Sequence, residues 1–238
     1  MKRRRVALYG GSFDPVHLGH LAVAESLARL FHLDEVLFLP ARIAPHKRDA
    51  PPTSPFHRHA MLALAIDGEE RFRISLAELE GDELHYTIDT LRYFRSLLKN
   101  STKLFFVMGA DSWRDITTWK DWEGVLMSVS HLVFTRPGYD FDDGHITAAA
   151  RERIVDLRGA SQQEIDQALE DGGGEKVFWT DAVMKNVSST EIRRSARDQQ
   201  TNLAGMVPAS VANYIKKYGL YTDEHETEFT DAGKHRAH

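Results

Sequence analysis

Two histidines of the chain lie three residues apart, directly after a glycine-rich turn. The stretch runs Gly10-Gly11-Ser12-Phe13-Asp14-Pro15-Val16-His17-Leu18-Gly19-His20. A short apolar run precedes it and an amphipathic stretch follows it, which predicts a strand, a tight turn and a helix. In an open parallel sheet such a turn lies where ligands bind, and glycine lets backbone N–H groups approach a phosphate. Two imidazoles on one face of the first helical turn add proton-bearing donors, so the pattern favours phosphoryl or nucleotidyl transfer.

A metal site is the main alternative for His17 and His20, because two histidines three residues apart on a helix suit zinc. A third ligand would then be needed, and the neighbouring sequence supplies no further cluster. A glycine pair after a strand is also often only a turn. The combination of both signals in one strand, turn and helix favours the nucleotide site.

The composition restricts the class of protein. The chain has 238 residues, of which 42% are hydrophobic and 27% charged, as is typical of globular proteins. A net charge of −5 argues against nonspecific nucleic-acid binding. The sequence has no cysteine, which excludes disulfides and cysteine chemistry and agrees with a cytoplasmic location. No apolar run approaches the length of a membrane span, so we expect no membrane partner.

The hydrophobic pattern predicts an α/β fold with a doubly wound parallel sheet, because strand and helix signals alternate. The predicted strands are Val6–Tyr9, Glu35–Leu39, Phe72–Ser75, Leu104–Met108, His131–Phe134 and Val177–Trp179. The predicted helices are Leu18–Leu30, Pro55–Ile66, Ile88–Leu98, Asp121–Leu126, Ile146–Leu157, Gln162–Leu169, Thr190–Arg197 and Ser210–Tyr218. We expect one domain over residues 1–222, with a small C-terminal helical part, and a disordered polar tail over residues 223–238.

The glycine and histidine pattern resembles the signature of the nucleotidyltransferase superfamily built around a His-x-Gly-His motif. The resemblance implies a Rossmann-like nucleotidyltransferase fold. It also implies transfer of a nucleoside monophosphate from a triphosphate to a phosphorylated small molecule. His17 and His20 would be the catalytic residues. The ATP-binding residues of this segment would be Gly10, Gly11, Ser12, Phe13, His17 and His20.

A hydroxyl-rich segment near the C-terminus carries a second phosphate signal. Ser188 and Glu191 predict a capping box, and a helix start with hydroxyls and a following arginine suits an anion. The segment resembles the Ile-Ser-Ser-Thr-x-Ile-Arg motif of the same superfamily, with Val187 in place of the isoleucine. That resemblance implies binding of the β- and γ-phosphates of ATP. The residues concerned are Ser188, Ser189, Thr190 and Arg193.

Three further segments resemble ATP-binding elements of the mononucleotide adenylyltransferases. Lys47, in Ala44-Pro45-His46-Lys47, would reach the triphosphate. Gly109 and Asp111 belong to a Gly-Ala-Asp segment that would lie at the adenosine. Arg136 follows the fifth predicted strand and would face the nucleotide.

The segment Tyr86-Thr87-Ile88-Asp89-Thr90-Leu91 opens a predicted helix, with Thr87 as its N-cap. It resembles an element of bacterial nicotinate mononucleotide adenylyltransferases whose backbone N–H groups receive the pyridine carboxylate. Because a helix N-terminus favours an anion, a carboxylate suits this position better than a neutral amide. Trp119 matches the family tryptophan that stacks on the pyridine ring, so Tyr86, Thr87 and Trp119 are the expected substrate-binding residues.

Together, the resemblances imply transfer of the adenylyl group of ATP to nicotinate mononucleotide. Mg²⁺ would be the cofactor, bound through the ATP phosphates without dedicated protein ligands. Nicotinamide mononucleotide, alone or beside nicotinate mononucleotide, is the nearest alternative substrate. A noncatalytic nucleotide sensor on the same fold is an alternative of another class, since a fold does not prove an activity. Both histidines and both phosphate motifs are intact, which argues against a sensor.

Overall fold

The structure is a computed structural model, and a sheet of parallel strands forms its centre. The structure describes residues 3–41, 53–80, 86–99, 101–135, 142–171, 173–181, 187–198 and 202–222. The strands are β1 (Arg4–Gly11), β2 (Glu35–Pro40), β3 (Phe72–Ile74), β4 (Thr102–Gly109), β5 (Ser130–Phe134), β6 (Ile154–Asp156) and β7 (Val177–Thr180). The helices are α1 (Leu18–Leu30), α2 (Pro55–Ile66), α3 (Ala77–Glu80), α4 (Thr87–Leu97), α5 (Ala110–Arg114), α6 (Trp122–Ser128), α7 (Ala148–Arg151), α8 (Gln162–Glu170), α9 (Ser189–Arg197) and α10 (Ala209–Lys217).

The order of the strands reverses between β1 and β4. The seven strands lie in the order β3-β2-β1-β4-β5-β7-β6. All of their pairings are parallel. The chain builds the sheet outward from β1 to β3 and then returns to the other side of β1 with β4. Open α/β sheets bind ligands beyond the carboxyl ends of the strands at such a reversal, where Gly11 and Gly109 end their strands.

Both faces of the sheet are covered by apolar side chains. On β1, Ala7 and Tyr9 pack into a cluster with residues of α1, α2, α9 and α10. Val6 and Leu8 point to the other face and pack with residues of α4, α5 and α6. Burial on both faces explains why the central strands read as continuous apolar runs. The α/β architecture with a parallel sheet, expected from the sequence, is confirmed.

The helix predicted for Ile146–Leu157 is wrong. The chain forms only the short helix α7 there and then the strand β6, which pairs with β7 at the edge of the sheet. Ile154 and Val155 are β-branched, and such side chains pack well on a pleated surface. The partner strand begins at Val177, far along the chain, so the local hydrophobic pattern of residues 146–157 could not predict the pairing. The helices predicted for Leu18–Leu30 and Pro55–Ile66 have the predicted bounds, and the other predicted helices are present with ends shifted by one or two residues.

The helix α10 ends at a glycine in the left-handed conformation. Gly219 has a φ of +59°, and the Leu220 N–H donates to the Ile215 carbonyl at 3.0 Å, as in a Schellman motif.

The tail predicted for residues 223–238 lies outside the described residues, and the single domain over residues 1–222 stays a prediction. Among the described residues, none of the helices has both the length and the apolar character that crossing a membrane requires.

His131 on β5 is a histidine of the hydrophobic core. It is fully buried beside Phe106, with ring centroids 5.9 Å apart. Within the described part of the chain, neither ring nitrogen has a hydrogen bond of ordinary geometry. Burial lowers the pKa of His131 to about 3, and a weak contact with the Val129 backbone only partly opposes the shift. The ring is therefore neutral in the folded protein, whereas the unfolded chain binds a proton below its usual pKa of 6.5.

We expect His131→Leu to reduce the acid sensitivity of the fold. In the wild type the unfolded state takes up the extra proton, so stability falls as the pH drops from 6.5 towards 3. This effect amounts to about 2 kcal/mol between pH 7 and pH 5, and the leucine variant lacks it. Urea denaturation of both proteins at pH 7, 6 and 5 measures the difference. Equal pH slopes for the two proteins would contradict the assignment.

Candidate active site

His17 and His20 close the amino end of α1 through reciprocal hydrogen bonds. The His20 N–H donates to His17 Nδ1 at 3.3 Å, and the His17 N–H donates to His20 Nδ1 at 3.3 Å. The two rings stack with their centroids 3.6 Å apart. Because each Nδ1 accepts a hydrogen bond, the proton of each neutral ring lies on Nε2. The helix cap thus fixes two Nε2–H donors on the ring edges opposite the backbone, beside the positive end of a helix dipole.

The glycine turn presents its main chain rather than its side chains. Phe13 has a φ of +47°, and its buried ring packs edge-on against His20 with centroids 5.0 Å apart. A Cβ added at Gly11 would meet this ring at 3.0 Å, so the close approach requires glycine. A Cβ at Gly10 would meet only the ring of Phe106, at an ordinary 3.6 Å. Phe13 and the glycines can therefore contact a phosphate through their backbones alone.

Asp14 joins the turn to three distant parts of the chain. Its Oδ1 accepts from the Tyr221 hydroxyl at 2.8 Å and its Oδ2 from the Thr53 N–H at 3.1 Å. Its backbone carbonyl accepts from the Arg193 guanidinium at 2.7 Å. Burial and the nearby Asp14 carboxylate raise the pKa of Tyr221 well above its usual range, so the phenol stays a donor.

The second phosphate segment packs directly against this turn. The Ser189 hydroxyl donates to the Pro15 carbonyl at 3.0 Å, and Arg193 lies 3.3 Å from the Thr190 hydroxyl. Ser188 forms its half of the predicted capping box by accepting from the Glu191 N–H at 3.2 Å. The structure therefore brings the amino ends of α1 and α9 together, as two separate sequence motifs required.

Arg58 lies beneath the turn with its side chain fully buried. Its Nη1 donates to the carbonyls of Ser12 at 2.8 Å and Ala41 at 2.6 Å. Its Nε donates to the Thr53 carbonyl at 2.8 Å. Burial lowers the pKa of Arg58, and the nearby Asp14 opposes this shift.

Sequence reasoning did not single out Arg58, Asp14 or Tyr221 as site residues. The one available signal was the register of Arg58, which lies one turn before Met61 and Leu62 on the buried face of α2. A charged side chain on an apolar face is uncommon, because burial of an unpaired charge is costly.

The residues expected to bind the pyridine ring lie on the opposite face of the sheet from α1. The assignment of Thr87 as N-cap is wrong: α4 begins at Thr87 and Tyr86 occupies the cap, because the Tyr86 carbonyl accepts the first helical hydrogen bonds. Lys120 Nζ lies 4.2 Å from the centre of the Tyr86 ring and 3.6 Å from Asp89. Trp119, half-buried, packs edge-on against Phe106. Tyr86, Thr87 and Trp119 therefore share one side of the structure.

The expected adenosine residues lie at the end of β4. Gly109 caps α5, and Asp111 Oδ1 accepts from the Ser112 N–H at 3.0 Å. A Cβ on Gly109 would come within 2.5 Å of this carboxylate, so a larger residue there would displace the Asp111 side chain. Lys47 and Arg136 lie outside the described residues.

Comparison with known proteins identifies the family. A family model described as cytidylyltransferase-like matches residues 8–195. The chain is 36% identical over 223 residues to a probable nicotinate-nucleotide adenylyltransferase of Pseudomonas paraeruginosa. This alignment covers 93% of this chain and 99% of the relative. It is 35% identical over 217 residues to a Thermus thermophilus protein of the same name, covering 91% and 99%. The chain belongs to the nicotinate-nucleotide adenylyltransferase family.

Solved structures agree on the fold of this family member. Nicotinic acid mononucleotide adenylyltransferase of Plasmodium falciparum, complexed with NaAD, superposes with a TM-score of 0.67 at 22% identity. The match covers 92% of this chain and 97% of that one. The same enzyme complexed with APC gives a TM-score of 0.65 at 21% identity. The Rossmann-like nucleotidyltransferase fold expected from the sequence is confirmed.

We expect Tyr221→Phe to lower the free energy of unfolding by about 1.5–3 kcal/mol, the usual contribution of a hydrogen bond to a charged partner. The variant keeps the ring but leaves Asp14 Oδ1 without the hydroxyl that donates to it. Urea denaturation measures the loss. Tyr218→Phe, at an exposed tyrosine on the end of α10, is the matched control and should change little. Equal effects of the two substitutions would contradict the role given to Asp14.

Proposed function

We propose that this enzyme transfers the adenylyl group of ATP to nicotinate mononucleotide, forming nicotinate adenine dinucleotide and pyrophosphate in NAD synthesis. The observation that carries the proposal is the meeting of two helix N-termini and two oriented imidazoles at the carboxyl edge of the sheet. The arrangement occurs in a member of the nicotinate-nucleotide adenylyltransferase family. A cytoplasmic location is part of the same proposal, because a chain without cysteine suits a reducing compartment.

The histidine pair would stabilise charge in the transition state. An oxygen of the mononucleotide 5′-phosphate attacks the α-phosphorus of ATP, and the bond to the α–β bridging oxygen breaks. Negative charge then rests on the α-phosphoryl oxygens and on the departing pyrophosphate. The Nε2–H groups of His17 and His20 would donate to these oxygens without changing their own protonation. Because the helix cap holds both rings in place, little reorganisation is needed during the reaction.

The amino end of α9 would bind the pyrophosphate. The Ser188 and Thr190 oxygens accept hydrogen bonds within the protein, so their hydroxyl protons remain to donate to phosphate. The Ser189 hydroxyl donates to Pro15, so this residue would act through its backbone N–H. Arg193 would add a positive charge at the same place. The other proposed ATP-binding residues are Gly10, Gly11, Ser12, Phe13, Lys47, Gly109, Asp111 and Arg136.

Magnesium would arrive as part of the substrate MgATP. Both carboxylate oxygens of Asp14, the acid of the glycine turn, accept hydrogen bonds from the protein. The groups beside it are two imidazoles whose Nδ1 atoms are engaged in the helix cap, hydroxyls and a guanidinium, and the N–H and O–H donors that these groups present suit phosphate oxygens rather than a metal cation. Mg²⁺ usually keeps several waters and binds through substrate phosphates, so the triphosphate itself would hold the ion.

The start of α4 would select the acid over the amide. An anion is stabilised at a helix N-terminus, and Lys120 adds a positive charge beside the Tyr86 ring. Trp119 would stack on the pyridine ring. Nicotinamide mononucleotide lacks the negative charge at this position and would gain less.

A turnover assay with ATP and Mg²⁺ tests the function and its specificity. We expect nicotinate mononucleotide to exceed nicotinamide mononucleotide by about 10²-fold or more in kcat/KM, because a site built for a polar contact rejects a substrate that lacks it. Release of pyrophosphate separates an enzyme from a noncatalytic sensor. Equal rates on the two mononucleotides would refute the specificity and leave adenylyl transfer standing.

Trp119→Ala, assayed in the same way, should raise KM for the mononucleotide far more than KM for ATP. Tyr93→Ala removes an exposed aromatic ring from α4 and is its control.

We expect His20→Ala to lower kcat by about 10²–10³-fold, the usual loss on removing one oriented transition-state donor. The substitution also removes the acceptor of the His17 N–H, so part of the loss could come from the helix cap. His20→Gln separates the two effects, since glutamine at this third helical position can restore the cap. The glutamine variant should recover thermal stability while kcat stays low. Recovery of kcat together with stability would remove His20 from catalysis.

A further inference from the structure

The peptide planes of the glycine turn are held by their carbonyl oxygens. The Gly11 carbonyl accepts from the Ala41 N–H at 2.9 Å. The Ser12 carbonyl accepts from Arg58, whose same Nη1 also binds the Ala41 carbonyl. The turn and the end of β2 are therefore joined by a closed ring of hydrogen bonds that passes through one guanidinium.

Fixing these carbonyls also fixes the neighbouring N–H groups. In a trans peptide the C=O and the following N–H point in opposite directions. Because the Gly11 carbonyl is directed at the Ala41 N–H, the Ser12 N–H points away from Ala41, and because the Ser12 carbonyl is directed at Arg58, the Phe13 N–H points away from the buried guanidinium. Successive N–H groups presented by a turn in this way form a concave anion site.

An arginine suits this position for a physical reason. Its planar guanidinium carries five donors in a fixed fork, so one side chain can satisfy carbonyls from three segments. Here the third carbonyl is that of Thr53, immediately before α2. Asp14 balances the buried charge electrostatically, and its Oδ2 binds the Thr53 N–H. A lysine would carry the same charge but not the same fork.

We propose that Arg58 is a positioning residue for adenylyl transfer, which orients the glycine turn so that the Ser12 and Phe13 N–H groups face the phosphates. The proposal rests on the proposed function. Arg58 does not itself contact substrate, since its donors bind backbone carbonyls underneath the turn.

Arg58→Lys tests the proposal, and Arg73→Lys is the matched control. Arg73 also donates to two backbone carbonyls, those of Glu70 and Phe72, but lies exposed on β3 at the edge of the sheet. We expect Arg58→Lys to lower kcat by about 10–10²-fold, since small misplacement of catalytic donors has effects of this size. Arg73→Lys should retain wild-type kcat.

The fraction of molecules that bind ATP distinguishes positioning from a merely structural role. Titration calorimetry should give the same binding stoichiometry for Arg58→Lys and the wild type, with the loss confined to kcat. A loss of activity matched by an equal loss of stoichiometry, or a folded variant with wild-type kcat, would overturn the proposal. Absence of dinucleotide formation by the wild type would instead overturn the proposed function.

Chemical rescue covers the case in which Arg58→Lys does not fold. Arg58→Ala is assayed with millimolar guanidinium and, separately, methylammonium. Guanidinium should restore part of kcat and methylammonium should not, because only the planar ion can bridge the three carbonyls. Equal responses to the two ions would contradict the positioning role.

Discussion

The buried carboxylate of Asp14 is the constraint on which the site depends. A buried charge is tolerated only when its oxygens are hydrogen-bonded, and here the donors come from distant segments. Tyr221 lies 207 residues away in the sequence, and Arg193, which binds the Asp14 carbonyl, lies 179 residues away. The C-terminal helices must therefore pack against α1 before the Asp14 carboxylate and carbonyl have all of their hydrogen bonds. The Met206 carbonyl completes this closure by accepting the Leu18 N–H, the first of α1, at 2.9 Å.

The histidine pair shows how one spacing can serve both folding and the proposed chemistry. Residues at the N-cap and third helical positions can exchange hydrogen bonds with each other's backbone N–H groups. Imidazoles at those positions use Nδ1 for the cap, which leaves the Nε2 protons on the other ring edge. An aspartate or serine would cap the helix equally well but would not present two rigid donors at its positive end. The tautomer that suits phosphate follows directly from the cap.

Local pattern predicted the elements and the motifs, but not the contacts that join them. The central strands and α1 were predictable because their periodicity is local and their burial strong. The segment Ile146–Leu157 was mispredicted because β6 exists only through its pairing with β7. Asp14 and Tyr221 were not predicted because an aspartate in a turn and a tyrosine near the C-terminus have no local signature, and the only local signal of Arg58 was its place on the apolar face of α2. Their function depends on contacts between segments that only the folded topology brings together.

The topology itself supplies much of the electrostatic field at the site. In a parallel sheet, each helix that follows a strand starts at the carboxyl edge, so the positive ends of α1, α4 and α9 all lie at that edge. A protein with a net charge of −5 can therefore bind two polyanionic substrates with few cationic side chains. Fixed backbone dipoles also need little reorganisation when charge moves during phosphoryl transfer. The fold thus favours anions in general, and in the proposed function individual side chains such as Trp119 and Lys120 would distinguish one anion from another.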